Sequence, residues 1–295
     1  MTMPPDLPVL VRLAFLWNRI GPRGRGFVPR HVGRLFGPDA DYIIRTAHGA
    51  RLRLDMANLE VYAPIYNADG RWEPHVAATC ARMLRPGEVF FDIGANAGMV
   101  TLETRAMLGS DVSIYSFEPQ PTLARSLRRS IELNGYHDVQ VVECLLGDRE
   151  GSGELFLTSH SIHASVIPRE KHFTKITLPI HKIDTLVSAG TCKPPQVVKI
   201  DTEGSEMKIL HGMEGTLRSS TPSLVFEADE NMKRFGYSGD DLVAYLKTLH
   251  DYEMYSILPK ESRLAPWRPG VASDVLAVAV PHRARVTGDW IARAA

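Results

Sequence analysis

The stretch VFFDIGANAG, residues 89–98, runs from an apolar segment into Asp92 and then into a turn built from Gly94, Ala95, Asn96 and Gly98. A strand followed by a glycine-bearing turn and a helix lets a ligand approach the backbone closely and meet the open amides of the helix N-terminus. Phosphate is the common occupant of such a turn, but neither phosphate code is present. There is no GxxxxGKS or GxxxxGKT, and DIGANAG lacks the GxGxxG spacing. Asp92 also stands ahead of the first glycine, where it would repel a pyrophosphate. A cationic or polyhydroxylated ligand suits this turn better.

The elements that must position such a turn follow from the apolar pattern. VFFD, SIYSFE, VQVVECLLGD, QVVKID and SLVFE are short runs rich in Val, Ile and Phe, and they end in Asp92, Glu118, Asp148, Asp201 and Glu227. Helix-like segments separate them: GMVTLETRAML, PTLARSLRRSIELNG, HKIDTLVSAG and GSEMKILHGMEGTLRSS. Continuous apolar character predicts strands buried on both faces, and the alternation predicts parallel pairing through right-handed crossovers. With the later strands DYEMYSIL and SDVLAVAV, the reading is a doubly wound, mostly parallel seven-stranded α/β sheet with helices on both faces. In such sheets the ligand lies outside the carboxyl ends of the strands, so the five acids would line one rim. One acid alone has a plainer role at a helix N-terminus, but five together point to a ligand. S-adenosylmethionine carries a sulfonium, an ammonium and a ribose but no phosphate. Glu118 would accept both ribose hydroxyls, Asp148 would meet the adenine amino group, and Asp92 would orient the turn or meet the methionine ammonium.

FDIGANAG, SFEP, LNG at 133–135, LLGD, VVKIDTEGSEMKILHGM and GRWEP at 70–74 resemble, in order, the FkbM family of class I S-adenosylmethionine-dependent methyltransferases. The resemblance covers about residues 40 to 260. It implies the Rossmann-like class I fold and S-adenosyl-L-methionine as cofactor. It also implies cofactor contacts from Gly94, Ala95, Asn96 and Gly98, from Glu118 with its neighbour Pro119, and from Asp148. Asn96 stands where class I turns more often carry glycine, and IDTL at 183–186 is a weakened LDDL.

Methyl transfer needs alignment and exclusion of water, and a hydroxyl acceptor must also lose a proton. KIDTEGSE would bring Asp201, Glu203 and Glu206 to the mouth of the site, with Asp201 the first choice as base or acceptor-orienting group and Glu203 the second. Glu203 and Glu206 suit equally the start of a helix near Gly204. Histidine is the easier base near neutrality. His160, His163 and His172 fall in a polar loop between GELFLT and KITLPI, and His163 is carried as a candidate base. With His181 these make four histidines within 22 residues, but no helical pair or nearby cysteine completes a metal site, so no metal is expected. Lys199 reads as an ion-pair partner inside the fourth run. Trp72 reads as a packing residue, and Glu73 as a contact to the methionine ammonium or the acceptor. Both precede PHVAATCARML, a helix expected to cover the cofactor pocket.

Across its 295 residues the chain holds 34 Lys plus Arg and 34 Asp plus Glu, which argues against a nucleic-acid partner. Cys80, Cys144 and Cys192 fit no ligand pattern and suit a reducing compartment. LPVLVRLAFLWNRIG is broken by Arg12 and Arg19 and is shorter than the ~20 residues that cross a bilayer. MTMPPDLP lacks the basic start of a secretory signal, so a cytoplasmic location is expected. Residues 1–54 nonetheless hold nine arginines against three aspartates, a net +6. This is either a solvated basic arm or a docking surface for an anionic membrane or a phosphate-bearing substrate.

The expected organisation is a basic arm with an amphipathic helix (1–40), a hairpin and helix over the pocket (41–85), and the methyltransferase domain (86–282). That domain contains an inserted strand pair and loop at 153–181, and a tail (283–295) follows it. The linker GPRGRGFVPRHVG is expected to be irregular. The expected function is O-methylation of a sugar, glycan or natural-product hydroxyl. Amine or carboxylate methylation, a non-catalytic cofactor-binding module, peripheral membrane contact through the arm, and homo-oligomerisation stay open.

Overall fold

The computed structural model describes residues 8–20, 27–36, 40–56, 59, 72–157, 174–228, 230–260 and 263–292. Two helices come first, α1 (Val9–Ile20) and α2 (Phe27–Arg34), so the second half of the linker expected to be irregular is helical. The hairpin β1 (Asp41–Arg45) and β2 (Arg51–Asp55) follows, then α3 (Pro74–Met83), β3 (Val89–Ile93), α4 (Met99–Leu108), β4 (Ser113–Phe117), α5 (Pro121–Asn134) and β5 (Val139–Val142). Next come β6 (Leu145–Leu146), β7 (Gly151–Leu157), β8 (Thr174–His181), α6 (Ile183–Ser188), β9 (Val197–Ile200), α7 (Glu206–Gly212) and α8 (Glu214–Ser220). The last are β10 (Ser223–Ala228), α9 (Gly239–Leu249), β11 (Glu253–Leu258), β12 (Arg263–Pro266) and β13 (Ser273–Val278).

The main sheet has eight strands in the order β12-β11-β13-β10-β9-β3-β4-β5, not seven. From β10 to β5 all neighbours are parallel, whereas β13 pairs antiparallel with both β10 and β11. The additional strand is β12, a short antiparallel edge on β11 with one buried residue, Leu264, too little alternation to read from sequence. Successive residues of one strand enter opposite cores, as strand geometry requires. Phe90 packs with α3, α4 and the N-terminal segment, and Phe91 packs with α6 to α9.

The run VQVVECLLGD is two strands. β5 closes the main sheet, and β6 leaves it to pair with β8, which pairs with β7 in a separate three-stranded sheet. That small sheet is held near the main one by Gly212, because a Cβ there would overlap the carbonyl of Gly147. The segment GSEMKILHGMEGTLRSS, expected as one helix, breaks at Met213 into α7 and α8. The hairpin docks on α5 and lines none of the cavity beside the turn after β3: Asn134 donates to the Arg51 carbonyl at 2.7 Å and accepts from its amide at 2.8 Å. The C-terminal residues are tied in as well. Arg285 forms a two-pronged pair with Glu88, at 2.7 and 2.5 Å, and Trp290 is buried.

Beneath the carboxyl edge of the sheet one ammonium is enclosed. Lys199, on β9, donates to the Gly94 carbonyl at 3.0 Å and lies 3.2 Å from Asp92 and 3.5 Å from Asp201. Burial disfavours its charge, but Asp92, Asp201 and Glu73 together outweigh burial and hold its pKa above the ordinary lysine value. Removing one partner of such a group leaves the others charged and unpaired. Lys199→Met is therefore expected to destabilise the fold by about 3 to 5 kcal/mol in chemical denaturation. Lys199→Met with Asp92→Asn should recover part of that loss, and a double variant no more stable than the single one would refute the pairing.

Candidate functional site

The turn after β3 is held open by three backbone ties. Gly94 and Ala95 both donate to the Phe117 carbonyl at 3.0 Å, and Asp201 donates to the Ile93 carbonyl at 3.1 Å. Gly94 has φ +76°, and a Cβ there would overlap the Asp201 carbonyl, so glycine is required on both counts. Asn96 takes φ 53°, a conformation that asparagine tolerates better than most residues, and its side chain accepts from the Ala97 amide at 2.7 Å. The departure from glycine is thus accommodated locally. Gly98, with φ +93°, is the N-cap of α4, where a Cβ would strike Leu127.

Against this turn lies a cavity that opens to solvent. Gly94, Asn96, Glu118, Pro119 and Gln120 line one side, Leu145, Leu146, Leu155 and Ile209 supply apolar wall, and Asp201, Thr202 and Glu203 stand at another edge. Glu118 is buried, and its two oxygens accept the amides of Asn96 and Gln120, each at 2.8 Å. A carboxylate oxygen can accept more than one hydrogen bond, so each keeps capacity for a further donor. Burial pushes its pKa up to about 7, against the lowering effect of those amides. A buried bidentate acceptor beside apolar walls fits an aromatic ring system joined to a sugar with two neighbouring hydroxyls. The residues present therefore fit an adenosine.

Several acids expected on this rim do not reach it. Asp92 lies inside β3, wholly buried, accepting from Thr101 at 2.6 Å and facing Lys199, so it braces the turn and offers nothing to a ligand. Asp148 is exposed beyond β6 and outside the cavity lining, because the third run bends into the small sheet two residues before it. Ala95 and Gly98 shape the turn without lining the cavity. Glu206 is buried, and its Oε1 accepts from the amides of Thr202 and Gly204 and from the Thr202 hydroxyl at 3.0 to 3.1 Å. Tyr237 lies 2.8 Å from its other oxygen. It ties the loop together. Glu203 lines the cavity from a left-handed backbone position, φ 60°. His163 lies outside the described residues, as do His160 and His172.

Glu73 does not line this cavity, and α3, expected to cover it, packs instead on α4, β9 and β10. Trp72, expected to be packed, is 36% exposed. Glu73 faces a smaller, narrow adjoining cavity with Lys199, Asp201, Glu227 and Asp274. Asp201 lines both cavities, its side chain 33% exposed. Asp274 is paired with His75 at 2.5 Å. Glu73 also has a left-handed backbone, φ 45°. Burial and then the neighbouring Asp201 raise its pKa to about 7.

The sequence reading missed Asp274, Gln120 and the Leu145 and Leu155 walls. Asp274 sits on an antiparallel strand whose carboxyl end points away from the rim, so no rule about strand ends could find it. Cys144, one of the three cysteines that fit no ligand pattern, lines the larger cavity, and burial raises its thiol to about 12, which keeps it protonated. Among the described residues no cluster of three or more His, Cys, Asp or Glu is arranged to hold a metal, and no helix is long and apolar enough to cross a membrane.

The chain is 29% identical over 153 residues to "Hexuronic acid methyltransferase AglP" of Haloferax volcanii, a match covering 51% of the chain and 60% of that protein. It is 24% identical over 143 residues to "Methyltransferase 1" of Beauveria bassiana, covering 42% of the chain and 57% of that protein. Among solved structures, "Methyltransferase FkbM" from Methylobacillus flagellatus superposes with a TM-score of 0.46 at 16% identity, covering 76% of this chain and 54% of the other. Each match spans less than two thirds of the relative's own length. The Methyltransferase FkbM domain profile matches residues 92–254, more than half of the chain, and the protein belongs to the FkbM methyltransferase family.

Proposed function

We propose that this protein is an S-adenosylmethionine-dependent O-methyltransferase whose acceptor is a sugar or other polyhydroxylated small molecule. Glu118 carries the reading, as a buried carboxylate braced by two amides on the wall of the larger cavity. With the ribose on Glu118, the turn Gly94 to Asn96 and Pro119 would border the nucleoside, and Leu145, Leu146 and Ile209 would pack against it. The bound cofactor would supply the electrophilic methyl group on a positively charged sulfur.

The acceptor's reacting hydroxyl is assigned to the mouth of the smaller cavity because Asp201 borders both spaces. Asp201 would orient the acceptor hydroxyl. Glu73, held near neutrality, would accept its proton, since a base works best with a pKa close to the working pH. Carboxylates from Glu73, Asp201, Glu227 and Asp274 around one space favour a neutral polyol over an anion. A second reading is methylation of a hexuronate carboxylate. The Haloferax volcanii relative is named for a hexuronic acid, a sugar that bears a carboxylate as well as hydroxyls. Mild alkali distinguishes the two products, because a methyl ester is cleaved and a methyl ether survives.

Two outcomes are expected. Because the free site holds Glu118 with a pKa near 7 and the ribose hydroxyls favour its carboxylate form, affinity should rise with pH. 5′-Methylthioadenosine, which has no group titrating in this range, should bind about tenfold more tightly at pH 8 than at pH 6 by calorimetry. Glu118→Gln should bind about 2 to 3 kcal/mol more weakly with a flat pH profile. A flat wild-type profile would remove Glu118 from the ribose site. In assays of S-adenosylhomocysteine release with a sugar panel, Asp201→Asn and Glu73→Gln should each lower kcat by roughly 10²- to 10⁴-fold with cofactor affinity nearly intact. Wild-type turnover in either variant would take that residue out of the mechanism.

A further inference from the structure

Helix α1, VLVRLAFLWNRI, is polar only at Arg12, Asn18 and Arg19, and so wide an apolar surface needs neighbours on more than one side. The domain meets one face. Val11, Ala14 and Phe15 are completely buried, and the Phe15 ring packs edge-on against Tyr42 with centroids 5.7 Å apart. On the opposite side, by helical spacing, lie Val9, Leu10, Leu13, Leu16, Trp17 and Ile20, which are 41% to 67% exposed. Phe27 on the adjoining α2 and Leu35 just beyond it are 62% and 72% exposed. Of the twelve large apolar side chains exposed among the described residues, eight therefore fall between residues 9 and 35. Folded domains rarely leave so concentrated an apolar surface without a use for it.

The charge on these two helices has one sign. Neither helix contains an acid, both carry arginine, and residues 1–54 hold nine arginines against three aspartates. A second copy of the chain would bring like charges together across the seam. An anionic bilayer meets both requirements, because apolar side chains enter the acyl boundary while arginines stay at the phosphates. Twelve residues of helix span only about 18 Å, too short to cross and suited to lying flat.

We propose that α1 and α2 dock this protein on an anionic lipid surface. Leu13, Trp17 and Ile20 are inserted, and Arg12 and Arg30 lie at the headgroups. The docking is independent of the methyl-transfer reading.

Sedimentation of the full chain with phosphatidylcholine vesicles, with and without phosphatidylglycerol, tests it. Binding should require phosphatidylglycerol and weaken with added salt. It should fall at least about tenfold in Leu13→Glu/Trp17→Glu, whose thermal midpoint should be unchanged because both residues are exposed. Arg12→Gln/Arg30→Gln should weaken binding to the charged vesicles while leaving the apolar face intact. Three results would each overturn the proposal: equal binding by wild type and the Leu13/Trp17 variant, equal binding to neutral vesicles, or a lipid-free dimer that the same variant dissociates. The last would assign the face to a second copy of the chain.

Discussion

The carboxyl edge of this sheet is organised by one enclosed positive charge. Lys199 reaches from β9 to the Gly94 carbonyl, to Asp92 on β3 and to Asp201 at the end of its own strand. Taking an ammonium out of water is unfavourable, and only the converging carboxylates and the carbonyl dipole make its position tenable. The consequence is geometric. The glycine turn and the Asp201 loop cannot move separately, because both hang on the same nitrogen and their backbones touch where a Cβ at Gly94 would not fit. The two cavities share Asp201, so this enclosed charge fixes their common border.

The acids near this edge divide by their wiring. Asp92 and Glu206 are engaged within the protein, Asp92 by Thr101 and the Lys199 ammonium and Glu206 by the Thr202–Gly204 loop and Tyr237, and they hold the turn and the following loop in shape. Glu118 is half-saturated, one amide per oxygen, and faces a cavity. Of the four described non-glycine residues with positive φ, Glu73, Asn96 and Glu203 line the two cavities. Such conformations cost free energy and persist where surrounding contacts over-determine them. Here those contacts are the Lys199 network, the Glu118 amide bonds and the Glu206 ties.

Much of this was legible in the sequence, and the failures have identifiable causes. Alternating apolar runs and helical periods suffice to place the five parallel strands, since a strand buried on both faces leaves a continuous signature. Glu118 is legible for the same reason, being the first residue past such a strand. Asp92 misled because the acid belongs to the strand, one residue short of its end, and so points into the fold. Asp148 misled because VQVVECLLGD reads as one run while the chain turns between Val142 and Leu145 to join another sheet. Periodicity is blind to that change of partner. β12 and the buried Trp290 depend on tertiary contacts alone, which no local pattern encodes.

Glu118 and Glu73 share a further property that follows from burial. Both have pKa values raised to about 7, so each keeps its proton more firmly in the folded state than in the unfolded chain. For a group raised in this way, the favourable contribution is present below the ordinary carboxylate pKa and is lost as pH climbs towards 7. Above that the folded protein carries two desolvated charges that hydrogen-bond donors from outside would relieve. A ligand offering hydroxyls to Glu118, and an acceptor offering one to Glu73, would supply those donors. The same burial that weakens the empty protein at neutral pH therefore reserves part of its stability for the occupied state.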